Sequence, residues 1–142
     1  SLWFSVDVDA RSAAVSIGPN TNVQDNTVIR CSTAQGVTIG RDTTIGHNVV
    51  LEDCVIGDEA LIGIGSVVAK GTVVENHVLL AAGARTEPGQ VLEAGWLYGR
   101  APAQKIAPLD QGKRDMIKFI IFTYRQYAEA FMAIEKELVD GS

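Results

Sequence analysis

At 142 residues, with 46% hydrophobic and 20% charged residues, the chain is long enough to bury one core and too apolar for disorder. Twelve basic residues against 17 acidic ones leave a net charge of −5, which repels a phosphate backbone and excludes nucleic-acid binding through a basic face. No apolar run reaches the length of a membrane span, and no basic-then-apolar leader opens the chain, so membrane insertion is not expected.

The chain begins at Ser1 without a Met, so a preceding N-terminal piece, absent or cleaved, is expected. From there aliphatic residues recur every six positions: Ile17, Val23, Ile29, then Ile39, Ile45, Leu51, then Ile56, Ile62, Val68, Val74 and Leu80. The register jumps by ten around Ser32–Gly36, an insertion of four residues, and shortens to five between Leu51 and Ile56. Four positions after most of these aliphatics stands a small or β-branched residue: Thr21, Thr27, Thr33, Thr43, Val49, Ala60, Ser66, Thr72, Val78 and Ala84. Directly after them glycine is frequent, at positions 18, 40, 46, 57 and 63. A period of six fits neither an α-helix nor a simple hairpin. It fits short strands joined by sharp turns, with the aliphatic and the small residue inward and polar residues outward. The glycines are expected to supply backbone freedom at the corners. Three edges make a triangular coil, and stacked coils bury one aliphatic column: an all-β solenoid.

After Pro102 the pattern changes. Met116, Ile117, Ile120, Ile121, Tyr124, Tyr127, Phe131, Ile134 and Leu138 recur at helical spacing, with Asp110 as the expected cap. The expected organisation is a solenoid over 1–108 and one long helix within 109–142, packed on a solenoid flank as part of the same domain. Trp96 and Tyr98 are expected at the seam between solenoid and helix. Cys31 and Cys54 make no disulfide framework and read as reduced thiols in a cytoplasmic protein, Cys54 packed inward and Cys31 more exposed.

A set of collinear motifs carries a resemblance. They run Asn22-Val-Gln-Asp25, Thr27-Val-Ile-Arg30, Ile45-Gly-His47, Leu51-Glu-Asp-Cys54-Val-Ile-Gly57-Asp58, Leu61-Ile-Gly-Ile-Gly-Ser66, Ala81-Ala-Gly-Ala84, Pro88-Gly89 and Gly99-Arg-Ala-Pro-Ala103. In this order they are similar to the γ-class carbonic anhydrases and their hexapeptide-repeat relatives. The resemblance implies left-handed coiling, a homotrimer and a metal site at each subunit interface. In active members of that family three histidines hold Zn²⁺, which polarises the attacking water. The matching positions here are Arg30, His47 and Glu52, so one ligand histidine survives. An arginine has no lone pair to give a metal. The expectation is a degenerate zinc site, no bound cofactor, and an Arg30–Glu52 ion pair on one face of adjacent coils. The resemblance also places Asp9 and Arg11 at the interface, with the order of the family's charge pair inverted, and Gln24 and Asp25 beside the metal-bound water.

Three functions stay open on the sequence. The first is a structural or assembly role for a degenerate trimer. The second is acyl transfer or thioester hydrolysis, with His47 (or His77) deprotonating an acceptor at the interface. The third is carbon dioxide hydration in a mixed trimer, where His47 completes a site whose other ligands come from a related subunit.

Overall fold

The computed structural model describes residues 1–141; Ser142, the last residue of the expected helical segment, lies outside the described residues. Three strands form the first coil, β1 (Asp7–Asp9), β2 (Val15–Ile17) and β3 (Asn22–Val23). The second coil holds β4 (Val28–Arg30), β5 (Val37–Ile39) and β6 (Thr44–Ile45), and the third β7 (Val50–Glu52), β8 (Val55–Ile56) and β9 (Leu61–Ile62). The fourth holds β10 (Val67–Val68), β11 (Val73–Val74) and β12 (Leu79–Leu80). The last coil has β13 (Val91–Leu92) and β14 (Trp96–Gly99), with a single bridge from Arg85 to Val67 where its first strand would lie. Then β15 (Gln104–Pro108) turns back on β14, and α1 (Gln111–Asp140) closes the chain.

The strands stack into three parallel sheets, β1-β4-β7-β10, β2-β5-β8-β11-β13 and β3-β6-β9-β12-β14, with β15 added antiparallel to the third. Register is set by the aliphatic column: Ile29 lies beside Leu51, Ile39 beside Ile56 and Ile45 beside Ile62, all essentially inaccessible. Each such side chain contributes roughly 1.5–3 kcal/mol by leaving water. The small residues turn inward as expected, and the hydroxyls among them do a second job. Thr21, Thr27 and Thr43 donate to the carbonyls of Gly40, Gly46 and Gly57 in the next coil, at 2.6, 2.8 and 2.9 Å. A buried hydroxyl without such a partner would be costly. Among the described residues no buried side-chain polar atom lacks one. Thr33 is the exception to the inward pattern, half-buried because the four-residue insertion carries it outward.

The role expected for the glycines is corrected. Gly40 and Gly63 do not adopt the left-handed conformation; it falls two positions later, on Asp42 (φ 51°) and Gly65 (φ 71°), with Asn20, Asn48, Glu59 and His77 at equivalent places. What excludes a side chain at Gly63 is the next coil, since a Cβ there would lie 2.5 Å from the Ala82 amide nitrogen. The left-handed corner positions are shared between Asn and Asp, whose short polar side chains tolerate that conformation, and a second set of glycines, among them Gly65, Gly71, Gly83 and Gly89.

The helix begins where expected, its first turn capped by the Asp110 carboxylate, which accepts from the Lys113 amide at 2.8 Å. It crosses β3 and β6 on the third sheet. Ile117 is its one buried residue, joined with Leu79 and Leu109 and flanked by Leu61, Leu97 and Ile121. Trp96 and Tyr98 do not form the seam. Tyr98 closes the core and its hydroxyl accepts from the Glu93 amide at 2.9 Å, while Trp96 carries the Lys105 ammonium 4.2 Å above its ring. The aromatic that meets the helix is Trp3, edge-on to Tyr124 and Phe131 at 5.4 Å each. The helix outruns this support, and every described side chain from Phe131 onward is exposed.

Candidate functional site

His47 stands two residues past the end of β6, at the corner between the third sheet and the first, on the flank covered by the helix. Its imidazole is about one-third exposed. The ring lies between two oxygen groups: Nδ1 stands 4.0 Å from the Asp25 carboxylate, and Nε2 lies 3.3 Å from the Tyr124 hydroxyl. Burial, with the Asp25 charge adding to it, raises the Tyr124 pKa, so the phenol keeps its proton at neutral pH. The phenol donates to Nε2 in the tautomer that carries its proton on Nδ1, the nitrogen nearer the Asp25 carboxylate. Gln24 is buried beside this group and points elsewhere: its amide donates to Asn22 Oδ1 at 3.1 Å, and Asn22 donates to Thr44 Oγ1 at 3.0 Å. An apolar cavity of about 250 Å³ opens next to the corner, lined by Gln24, Gly46, Leu61, Ile64, Leu79 and Ile120.

Arg30 and Glu52 lie at another corner. They are register partners on β4 and β7, and Asp9 on β1 is the register partner of Arg30 on its other side. The three side chains stack as Asp9, Arg30, Glu52 around an open cleft shared with Arg11, Ser12 and Ser32. The expected Arg30–Glu52 ion pair does not form within the protomer: it is absent among the ion pairs of the described residues. The guanidinium is exposed, and water screens it from both carboxylates. The charge pair that does form is Arg11 on Asp9, at 2.6 Å, and hydrogen bonding by Arg11 holds the Asp9 carboxyl down to about 2. Inverted Asp9 and Arg11 therefore pair with each other inside one chain.

Within one protomer His47 and the Arg30–Glu52 face occupy different corners, and no three His, Cys, Asp or Glu side chains converge on one point among the described residues. The residues at the three positions implied by the resemblance do not fit Zn²⁺, because a guanidinium offers hydrogens where a metal needs a lone pair. Cys31 is corrected as well: it is 4% exposed, and burial pushes its thiol up, as it pushes Cys54 up to about 12. Neither is a thiolate nucleophile at neutral pH. His77 stands half-exposed with Nδ1 3.4 Å from Glu59, on a third corner. Two groups escaped the sequence reading. Tyr124 reaches His47 across 77 positions of sequence, a distance no local pattern spans. Asp53 is wholly buried beside Arg30 and Glu52, accepting from the Ser32 hydroxyl at 2.5 Å and from the Ser32 and Thr33 amides.

The fold is that of the hexapeptide-repeat proteins: a left-handed parallel β-helix closed by one C-terminal helix. Among solved structures, a hexapeptide transferase family protein of Anaplasma phagocytophilum superposes with a TM-score of 0.86 at 28% identity, covering 92% of this chain and 77% of its own. A Bacillus cereus protein provisionally assigned as an acetyltransferase gives a TM-score of 0.90 at 27% identity, over 94% of this chain and 78% of its own. A galactoside acetyltransferase in complex with coenzyme A shares the fold at 18% identity, with a TM-score of 0.64, over 78% and 68% of the two chains. No family model matches the sequence, and no curated protein does. All three of these neighbours are described as transferases, and two of them as acetyltransferases.

Proposed function

We propose that the chain is the subunit of a homotrimeric acyltransferase, with His47 as the general base and an acyl thioester such as acetyl coenzyme A as the donor. The observation that carries this reading is the Asp25–His47–Tyr124 arrangement, a part-exposed imidazole with a carboxylate 4.0 Å from one nitrogen and a phenol hydroxyl 3.3 Å from the other. An acceptor hydroxyl or amine displaces Tyr124 from Nε2. As it attacks the thioester carbonyl, Nε2 takes its proton, forming the new C–O or C–N bond and a tetrahedral intermediate. Collapse of the intermediate breaks the C–S bond, and the imidazolium returns the proton to the departing thiolate. The Asp25 carboxylate stabilises the transient imidazolium. The apolar cavity beside Gly46 offers room for the acyl group. Ile64 is 54% exposed beside this cavity, and in the proposed trimer a neighbouring subunit would cover it.

The test is thiol release from acetyl coenzyme A with a panel of sugar, amino-sugar and amino-acid acceptors. His47→Gln is expected to lower the rate by about 10²–10⁴-fold, the range for loss of a general base. A variant that acetylates at the wild-type rate, or a wild type inert to every donor and acceptor while hydrating carbon dioxide, would overturn the reading. Release of thiol without any acceptor would instead mark a thioesterase using the same base.

A further inference from the structure

Packing between α1 and the third sheet is incomplete. Ile117 makes the firm contact, against Leu79 and Leu61. Two turns further along the helix, the Tyr124 hydroxyl reaches His47. Ile120 lies between them, half-buried, and with Leu61, Leu79 and Ile64 it lines the apolar cavity of about 250 Å³. Ile120 and Tyr124 are four residues apart and so share a helix face. Gly46, the residue before His47, lines the opposite wall. The cavity therefore begins beside the imidazole on both walls and extends under the helix toward Ile117.

Its walls suit a hydrocarbon better than water. Gln24 and Thr44 are the polar residues of the lining, and Asn22 engages both side chains. Asn22 donates to Thr44 Oγ1 at 3.0 Å and accepts from the Gln24 amide at 3.1 Å. The backbone there is engaged between coils, with the Gly46 amide donating to Ile62 and the Gly63 amide to Leu80, each at 2.8 Å. A buried water needs two to four polar partners, and these walls leave few. Volume then sets the size of the guest. An apolar cavity of about 150 Å³ holds a benzene ring, so 250 Å³ takes a chain of roughly six to eight carbons. An acetyl group would leave most of it empty.

We infer that the acyl donor of this chain is a medium-chain thioester, with about six carbons rather than two, its carbonyl at His47 and its tail in this cavity. The inference rests on acyl transfer from His47 and adds to it the substrate class. Ile120 determines the specificity, since it is the helix residue that lines the cavity and so sets how far the tail can reach. Ile64, 54% exposed, lies where the cavity meets solvent.

Calorimetric titration of the full chain with acetyl, butyryl, hexanoyl and octanoyl coenzyme A reads the tail directly, without an acceptor. Each methylene that enters should tighten binding about three- to fourfold, so hexanoyl should bind on the order of 10²-fold more tightly than acetyl. The gain should stop once the cavity is full. Ile120→Phe puts a ring into this space and should cut the hexanoyl preference by about tenfold or more, as if two methylenes were shut out. Ile120→Ala enlarges the space and should move the optimum to octanoyl. Taking the ratio of Kd values within one protein cancels any general loss of folding or of coenzyme binding. Equal Kd for acetyl and hexanoyl in the wild type overturns the inference, and is the result expected if a neighbouring subunit's side chain fills the cavity. A preference that Ile120→Phe leaves unchanged overturns it too. Thiol release with the acceptor panel separates this inference from the function it rests on. Length-dependent binding without thiol release supports the tail site and overturns acyl transfer. Thiol release with equal kcat/KM for acetyl and hexanoyl supports acyl transfer and overturns the medium-chain donor.

Discussion

Replacing Asp53 tests how the irregular corner of the solenoid is held. Its carboxylate is wholly buried and accepts hydrogen bonds from Ser32 Oγ at 2.5 Å, from the Ser32 amide at 3.1 Å and from the Thr33 amide at 3.2 Å. Burial by itself would raise its pKa, but the bonds from Ser32 and Thr33 outweigh burial and leave it below the ordinary carboxylate value. Asp53→Asn keeps the volume and the tolerance for the left-handed φ of 37°, and removes the charge. An amide can still accept at one oxygen, but its NH₂ faces donors. A hydrogen bond to a charged group contributes about 1.5–3 kcal/mol, so losing roughly two of them should cost about 3–6 kcal/mol. For a chain of this length that corresponds to a fall of about 10–20 °C in Tm. The pH dependence carries the sign. With the folded pKa below the unfolded one, this stabilisation is present above the unfolded value near pH 4 and is lost as pH falls through the folded pKa. Urea unfolding of both proteins should therefore show a gap at pH 7 that narrows in acid. A gap under about 1 kcal/mol at pH 7, or one that widens on acidification, would refute the account of Asp53 as an ionised acceptor.

Gly63→Ala should destabilise by about 1–3 kcal/mol or more, because its Cβ would meet backbone atoms of Ala81 and Ala82 that cannot move independently; urea unfolding indistinguishable from wild type would mean the coils can spread. Trp3→Ala should cost about 2 kcal/mol by removing the edge contacts to Tyr124 and Phe131, with amide exchange rising first in the helix. Unchanged protection there would show that Ile117 and its neighbours hold the helix unaided. Zinc titration of Arg30→His, Glu52→His should reveal interfacial zinc that the wild type lacks, with a rise in Tm on binding. Binding no stronger than wild type would mean that His47 of a neighbouring subunit does not reach this face.

The fold was legible because a hexad leaves few alternatives. Ile29, Leu51 and Val68 could share one column only if the coils stack in register, and the inward Thr27 and Thr43 follow from the same count. The glycines were legible as a pattern but not as a cause. Sequence marks positions 40 and 63 without saying whether conformation or a neighbouring coil demands them, and the neighbour proved decisive. Contacts made by the helix were hidden for a different reason. Its apolar face is wider than the strip it buries, so spacing alone could not say that Ile117 would be covered and Phe131 left on Trp3 at the surface. The surroundings of His47 share that fate, since Asp25 was singled out through the resemblance whereas Tyr124 arrives only once the helix has docked.

The two breaks in the repeat belong to one corner. In sequence they are separate anomalies, four extra residues around Ser32–Gly36 and one missing between Leu51 and Ile56. In space they are adjacent, because Arg30 and Glu52 are register partners and each break follows one of them. The shortened corner turns at once through Asp53, whose amide donates to the Arg30 carbonyl at 3.1 Å and whose carboxylate reaches the lengthened corner at Ser32 and Thr33. Insertion in one coil and deletion in the next are thus matched by a single buried charge. Sequence spacing alone could not pair them, because the link is a side chain spanning two coils. Arg30 and Glu52 take their positions at the edge of the cleft from this anchored corner. The face that presents Arg30 and Glu52 thus has its backbone held by Asp53.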